Sequence, residues 1–198
     1  MGWLINRARE LLEEFWIAQD QMRTESVRQL AHDTWQPPLK SVFKLNFDAT
    51  VFSSLNRSGF GAIICNEKGE VMAVMAAKGP KVFCSEEVEL LAYRKAIEFA
   101  VDAGFSELVI EVDNSSAMTV ISTLKIDQSL SGNVVGDIQH LIRNLLWVRI
   151  DCIRRGGNWV AHVLAQFARS IIEDMYWMED VPLIAREALY QDAILLIK

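Results

Sequence analysis

The sequence predicts a mixed α/β fold: a five-stranded sheet in the order βββ-α-β-α-α-β-α, helices on both faces, and a helical leader in front. Three observations carry this. Three β-type runs between 42 and 77 are separated by short turns, which makes them an antiparallel meander. A long amphipathic run over 85–103 then leads to a fourth apolar stretch, 107–112. That strand–helix–strand order favours a parallel, right-handed return beside the first strand. Two more helical runs, a fifth strand and a last helix complete a sheet covered on both sides.

Taken in order, 3–22 reads as an amphipathic helix with Leu4, Ala8, Leu11, Phe15 and Met22 on one face. Trp35-Gln36-Pro37-Pro38 breaks it. The first strand spans about 42–50, with Phe43, Leu45, Phe47 and Ala49 alternating against Lys44, Asn46 and Asp48. Residues 51–58 form a turn. Strand two, 59–65, carries glycines that allow close backbone approach. Asn66 to Gly69 is a turn, and 70–77 the third strand. Ser85 suits a helix N-cap, Glu86 and Glu87 suit its first turn, and Gly104 suits the position just past its end. Residues 115–124 and 133–146 read as helices, 147–153 as a strand, 154–158 as a loop, 159–176 as a helix. Pro182 opens a final amphipathic segment.

This organisation divides the chain into a helical leader and Pro linker (1–40), a core domain (41–170) and a C-terminal helical tail (171–198). No apolar run nears the roughly 18 residues of a membrane span, and the N-terminus lacks a signal-peptide pattern. Cys65, Cys84 and Cys152 are too far apart for a zinc pair. They read as reduced thiols of an intracellular protein, in cytoplasm or nucleus. The net charge of −6 argues against a strong polyanion binder, but 41–170 holds 13 basic and 14 acidic residues, so the core is near neutral. Counterion release contributes little affinity to such a surface, and metal ions would have to bridge it to phosphates.

Asp48 is the residue that asks for a reason, because strands are poor in Asp. If the first and fourth strands are neighbours, Asp113 at the end of the fourth comes close to it, and Glu89 enters from the helix between. Carboxylates that converge repel one another unless a cation sits among them. All-oxygen ligands favour Mg²⁺ or Mn²⁺.

The stretches 44–50 (Lys-Leu-Asn-Phe-Asp-Ala-Thr), 59–64, 87–96, 110–115 and 155–165 (Arg-Gly-Gly-Asn-Trp-Val-Ala-His-Val-Leu-Ala) stand in one order. In that order they resemble the ribonuclease H domain, in the reverse-transcriptase-like form abundant in plants and related to retroelements. The resemblance covers about 42–170. It implies an RNase H-like fold and two-metal hydrolysis of the RNA strand of an RNA–DNA hybrid. Carried over residue by residue, Asp48, Glu89 and Asp113 are its metal-ligand acids and Mg²⁺ or Mn²⁺ its cofactor. His162 stands where the family has a fourth acid. The loop histidine of active members is replaced by Arg154, Arg155, Gly156 and Gly157, and a basic helical protrusion is absent.

Blander readings stand beside these. Glu89 alone could be an exposed helix acid, Asp113 an Asx-turn, and His162 a helix residue near the site. Arg154 and Arg155 are candidate phosphate contacts or plain loop arginines, and Asn158 a substrate contact or an N-cap. A catalytically weakened module that binds nucleic acid or protein is the alternative to the nuclease.

Overall fold

The structure is a computed structural model, and it describes residues 35–112, 130–153 and 155–195. The predicted helices 3–22 and 115–124, with Asp113 and Arg154, lie outside the described residues. A six-stranded sheet in the order β5-β4-β1-β2-β3-β6 forms the body. Its strands are β1 (Phe43–Phe52), β2 (Arg57–Cys65), β3 (Val71–Gly79), β4 (Glu107–Val112), β5 (Trp147–Cys152) and β6 (Met175–Met178). The helices are α1 (Ser85–Asp102), α2 (Leu130–Arg143), α3 (Trp159–Phe167) and α4 (Leu183–Leu195).

The mixed α/β class holds, and so does the meander, with β1 antiparallel to β2 and β2 to β3. β4 returns parallel to β1, with Asn46 opposite Glu111. Beyond shifts of a few residues at element ends, two details differ from the sequence reading. The sheet has six strands, not five, because the run read as one helix over 159–176 leaves helical geometry after Phe167. Asp174 accepts from the Lys78 amide at 2.9 Å and pairs with Lys95 at 3.2 Å, which turns the chain back along β3. The aromatic-rich Met175–Met178 then pairs with Ala73–Ala76. The segment after 170 therefore holds a strand as well as a helix. The second difference is the α1 cap: Cys84 is the N-cap, its sulfur accepting from the Glu87 amide at 3.4 Å, and Ser85 is already helical.

Gly104 ends α1 as expected. Its φ of 88° allows the amides of Gly104 and Phe105 to bond the carbonyls of Val101 and Ala100, a Schellman close. β1 alternates as read, but both of its faces are covered. Leu45 and Phe47 join Tyr93, Ile97 and Ile138 of α1 and α2 in the larger apolar core. Lys44, Asn46 and Asp48 point to the opposite face, where α3 and α4 pack, and each is at least nine-tenths buried.

α3 reaches that face because β2 carries glycine at two positions beneath it. A Cβ on Gly61 would lie 2.3 Å from the Ala161 carbonyl oxygen and 2.4 Å from the Ala165 amide nitrogen. One on Gly59 would lie 2.5 Å from the Ala165 carbonyl oxygen. Real Cβ atoms do not approach backbone so closely, so the two glycines seat the helix, as the sequence suggested. Gly61 is the cross-strand partner of Asp48, and Gly59 of Thr50.

Candidate active site

α3 is tied to β1 by three side chains spaced one helical turn apart. Asn158 Nδ2 donates to the Phe47 carbonyl at 2.8 Å. His162 Nδ1 lies 2.6 Å from Asp48 Oδ2. Gln166 Nε2 donates to Thr50 Oγ1 at 3.3 Å. Residues 158, 162 and 166 share a helix face, and the glycine seat brings that face within reach of the strand. The Asp48 side chain is 10% exposed and that of His162 40%, so the carboxylate is approached past the imidazole. The Trp159 ring stacks on His162 at 5.3 Å between centroids.

Behind Asp48, the same sheet face holds a buried polar network. Glu111 pairs with Lys44 and accepts from Asn46 Nδ2 at 2.8 Å. Asn46 Oδ1 in turn accepts from the Trp35 indole at 2.9 Å, and the Lys44 ammonium lies 5.5 Å from the Trp35 ring centre. A charge can be buried this deeply only when its partner and hydrogen bonds are supplied. The network is closed by Trp35, so the segment before β1 completes the floor beside the site.

The structure brings Asp48 and His162 together. Glu89 sits half-buried on α1, between the core residues Val88 and Leu90. Among the described residues, no three His, Cys, Asp or Glu side chains are grouped to share a metal ion. Asn158 occupies the N-cap position of α3, yet its side chain makes no cap bond and serves as the tie to Phe47 instead. Arg155 begins the short 3-10 turn before α3. Three participants escaped the sequence reading: Trp159, Gln166 and the Trp35–Asn46–Glu111–Lys44 network. Spacing held a signal for two of them. Gln166 is one turn beyond His162, and Glu111 precedes Asp113 by two along a strand.

A family model described as reverse transcriptase-like matches residues 46–168. No curated protein matches the chain. Solved structures share the fold at low identity. RNase H1 from Halobacterium salinarum is 17% identical, with a TM-score of 0.58 over 65% of this chain and 98% of that one. An N-terminal RNase H domain from Mycobacterium tuberculosis, solved as a fusion with maltose binding protein, is 16% identical with a TM-score of 0.55. That match covers 76% of this chain and 97% of the other. LC11-RNase H1, solved in complex with an RNA/DNA hybrid, is 17% identical with a TM-score of 0.54, covering 63% and 94%.

Proposed function

The chain belongs to the reverse transcriptase-like family, and from that premise we propose that it is an RNase H-type nuclease. In this reading it hydrolyses the RNA strand of RNA–DNA hybrids with the help of Mg²⁺ or Mn²⁺. The observation that carries the reading is Asp48: a carboxylate on the central strand, its side chain 10% exposed, held from α3 and beside a parallel β4. Glu89 and Asp113 are the further acids. Their hard oxygens suit Mg²⁺ or Mn²⁺, and with Asp48 they would hold the metal. The fourth position fits less well, because its imidazole is turned onto Asp48. Bound ions supply an activated water and a stabilised leaving oxygen in such hydrolysis.

The chain's own residues do the rest. α3 fixes the Asp48 carboxylate through His162 and steadies its strand through Asn158 and Gln166. The Lys44–Glu111 network keeps the neighbouring β1 and β4 in register beneath it. The hybrid would be read by backbone shape and by the 2′-hydroxyls of its RNA strand, through a near-neutral surface. Arg154 and Arg155 are the proposed nucleic-acid contacts of the adjoining loop; Asn158, 3% exposed and bonded to the Phe47 carbonyl, is a positioning residue instead.

A hybrid-cleavage assay with Mg²⁺, then Mn²⁺, tests this. Cleavage is expected, and Asp48→Asn should lower it by more than the roughly 10–100-fold lost with a hydrogen-bonded neighbour of a metal ligand. No cleavage at high enzyme, or equal cleavage by the variant, sinks the proposal. One observation favours a second reading, a catalytically weakened binding module: His162 Nδ1 at 2.6 Å offers Asp48 a partner without any metal. Calorimetric titration with Mn²⁺ separates the two, since two bound ions support the nuclease and none supports the module.

A further inference from the structure

A groove of about 610 Å³ runs outward from His162 along α3, and its lining includes Trp159, Gln166, Arg169 and, on the facing side, Ile184 of α4. We propose that this groove binds the unpaired stretch of RNA that continues from a hybrid held at Asp48. The inference rests on the nuclease reading above and extends it from the cut site to the flanking strand.

Three features point to that occupant. Trp159 is 46% exposed, although its ring already stacks on His162 with planes 25° apart. An exposed ring braced from behind is a platform for another flat ring. In a duplex each base is stacked on its neighbours, so only a terminal or unpaired base can settle on it, and such stacking is tolerant of sequence.

Next along the stripe come an amide and a guanidinium. Gln166 and Arg169 are both exposed; the Gln166 amide keeps one hydrogen beyond its bond to Thr50, and Arg169 carries a guanidinium with its own donors. A nucleic-acid strand offers acceptors to both in its phosphates, hydroxyls and base edges. An apolar protein helix laid in the same groove could pack on Val163, Phe167 and Ile184 but would offer no acceptor to the Arg169 guanidinium, which is unfavourable where that group is covered. Length agrees as well. From 159 to 166 the helix rises about 10 Å, the span of about three nucleotides at a stacked spacing of roughly 3.4 Å. Because the groove begins at the imidazole touching Asp48, the strand entering it is the one that would lie at the cut.

The test measures binding by the full chain with Ca²⁺ in place of Mg²⁺, by fluorescence anisotropy. The probes are a blunt hybrid, the same hybrid with a short unpaired RNA flank, and one with an unpaired DNA flank. The RNA flank should tighten binding about tenfold, the weight of one stacked base. Trp159→Ala should bring the affinities for flanked and blunt hybrid together, while Trp159→Phe should keep most of the difference. A DNA flank that acts as well as RNA keeps the groove as a single-strand site, with stacking rather than the 2′-hydroxyl as its source.

Equal affinity for blunt and flanked probes overturns the proposal. So does a Trp159→Ala variant that weakens both alike, or self-association that Trp159→Ala abolishes without any flank effect. If Trp159→Ala fails to fold, the wild-type flank comparison and Trp159→Phe decide. Cleavage of blunt hybrid without a flank effect would sink this inference and leave the nuclease reading standing; neither binding nor cleavage of any probe would sink both.

Discussion

The two faces of β1 are one residue apart in sequence and differ in everything else. Toward α1 and α2, Leu45 and Phe47 enter an apolar core, with Phe47 stacked on Tyr93 at 5.1 Å. Burying such side chains contributes about 1.5–3 kcal/mol each, and the shape of the pocket, not any one partner, sets the amount. Toward α3 and α4, Lys44, Asn46 and Asp48 are buried to the same extent, yet each depends on a named partner. The apolar face tolerates approximate fit. The polar face is all-or-none, because losing one partner leaves a desolvated group behind.

The sharpest way to break this comparison is at Glu111. Glu111→Leu strands the Lys44 ammonium and one Asn46 donor, and should cost about 3–5 kcal/mol in urea unfolding. The double variant Lys44→Met/Glu111→Leu should recover most of that loss, since the pair can be replaced as a unit. If the single and double variants are equally unstable, the network is not a coupled pair. Gly61→Ala is next. Its methyl meets α3 backbone at 2.3–2.4 Å, so the helix must lift, at about 1–3 kcal/mol. A lowered melting temperature is expected, with the proposed hybrid cleavage lost beyond the unfolded fraction, and unchanged values would show that α3 is not seated there.

The smallest effect comes from the apolar face. The Tyr93 hydroxyl is fully buried and has no hydrogen-bond partner among the described residues. Tyr93→Phe should therefore stabilise by about 1 kcal/mol, read as a higher melting temperature. Burial also raises the Tyr93 pKa well above its ordinary 10.0. A group whose folded pKa is raised contributes stability below the unfolded value and loses it as pH rises, so the wild type should weaken above about pH 10. The Phe variant should lose less over that range. A destabilised Tyr93→Phe would mean that the hydroxyl has a partner after all.

How far the sequence reveals these faces follows from the reach of each signal. Alternation in β1, the turns around 66–69 and the Gly104 stop are local patterns, and the structure keeps them. The parallel neighbour β4 follows from element order. β6 could not be read, because four residues are too short for a period, and Ile171 and Ile172 continue the apolar run of α3. The pairing of His162 with Asp48 was legible only as a family position. Glu111 escaped because an acid two places before a candidate ligand looks like an ordinary surface residue until its lysine is known. Trp35 looked like punctuation before two prolines, though its indole completes the buried network.

The glycine beneath α3 carries one more consequence. The gap between the carboxylate strand and its covering helix is set by a hydrogen atom, so position 61 acts as a spacer whose thickness evolution or design can dial. The atoms nearest to position 61 are the backbone of Ala161 and Ala165, so no smaller side chain on the helix can make room for a larger residue there, and only a lifted helix can.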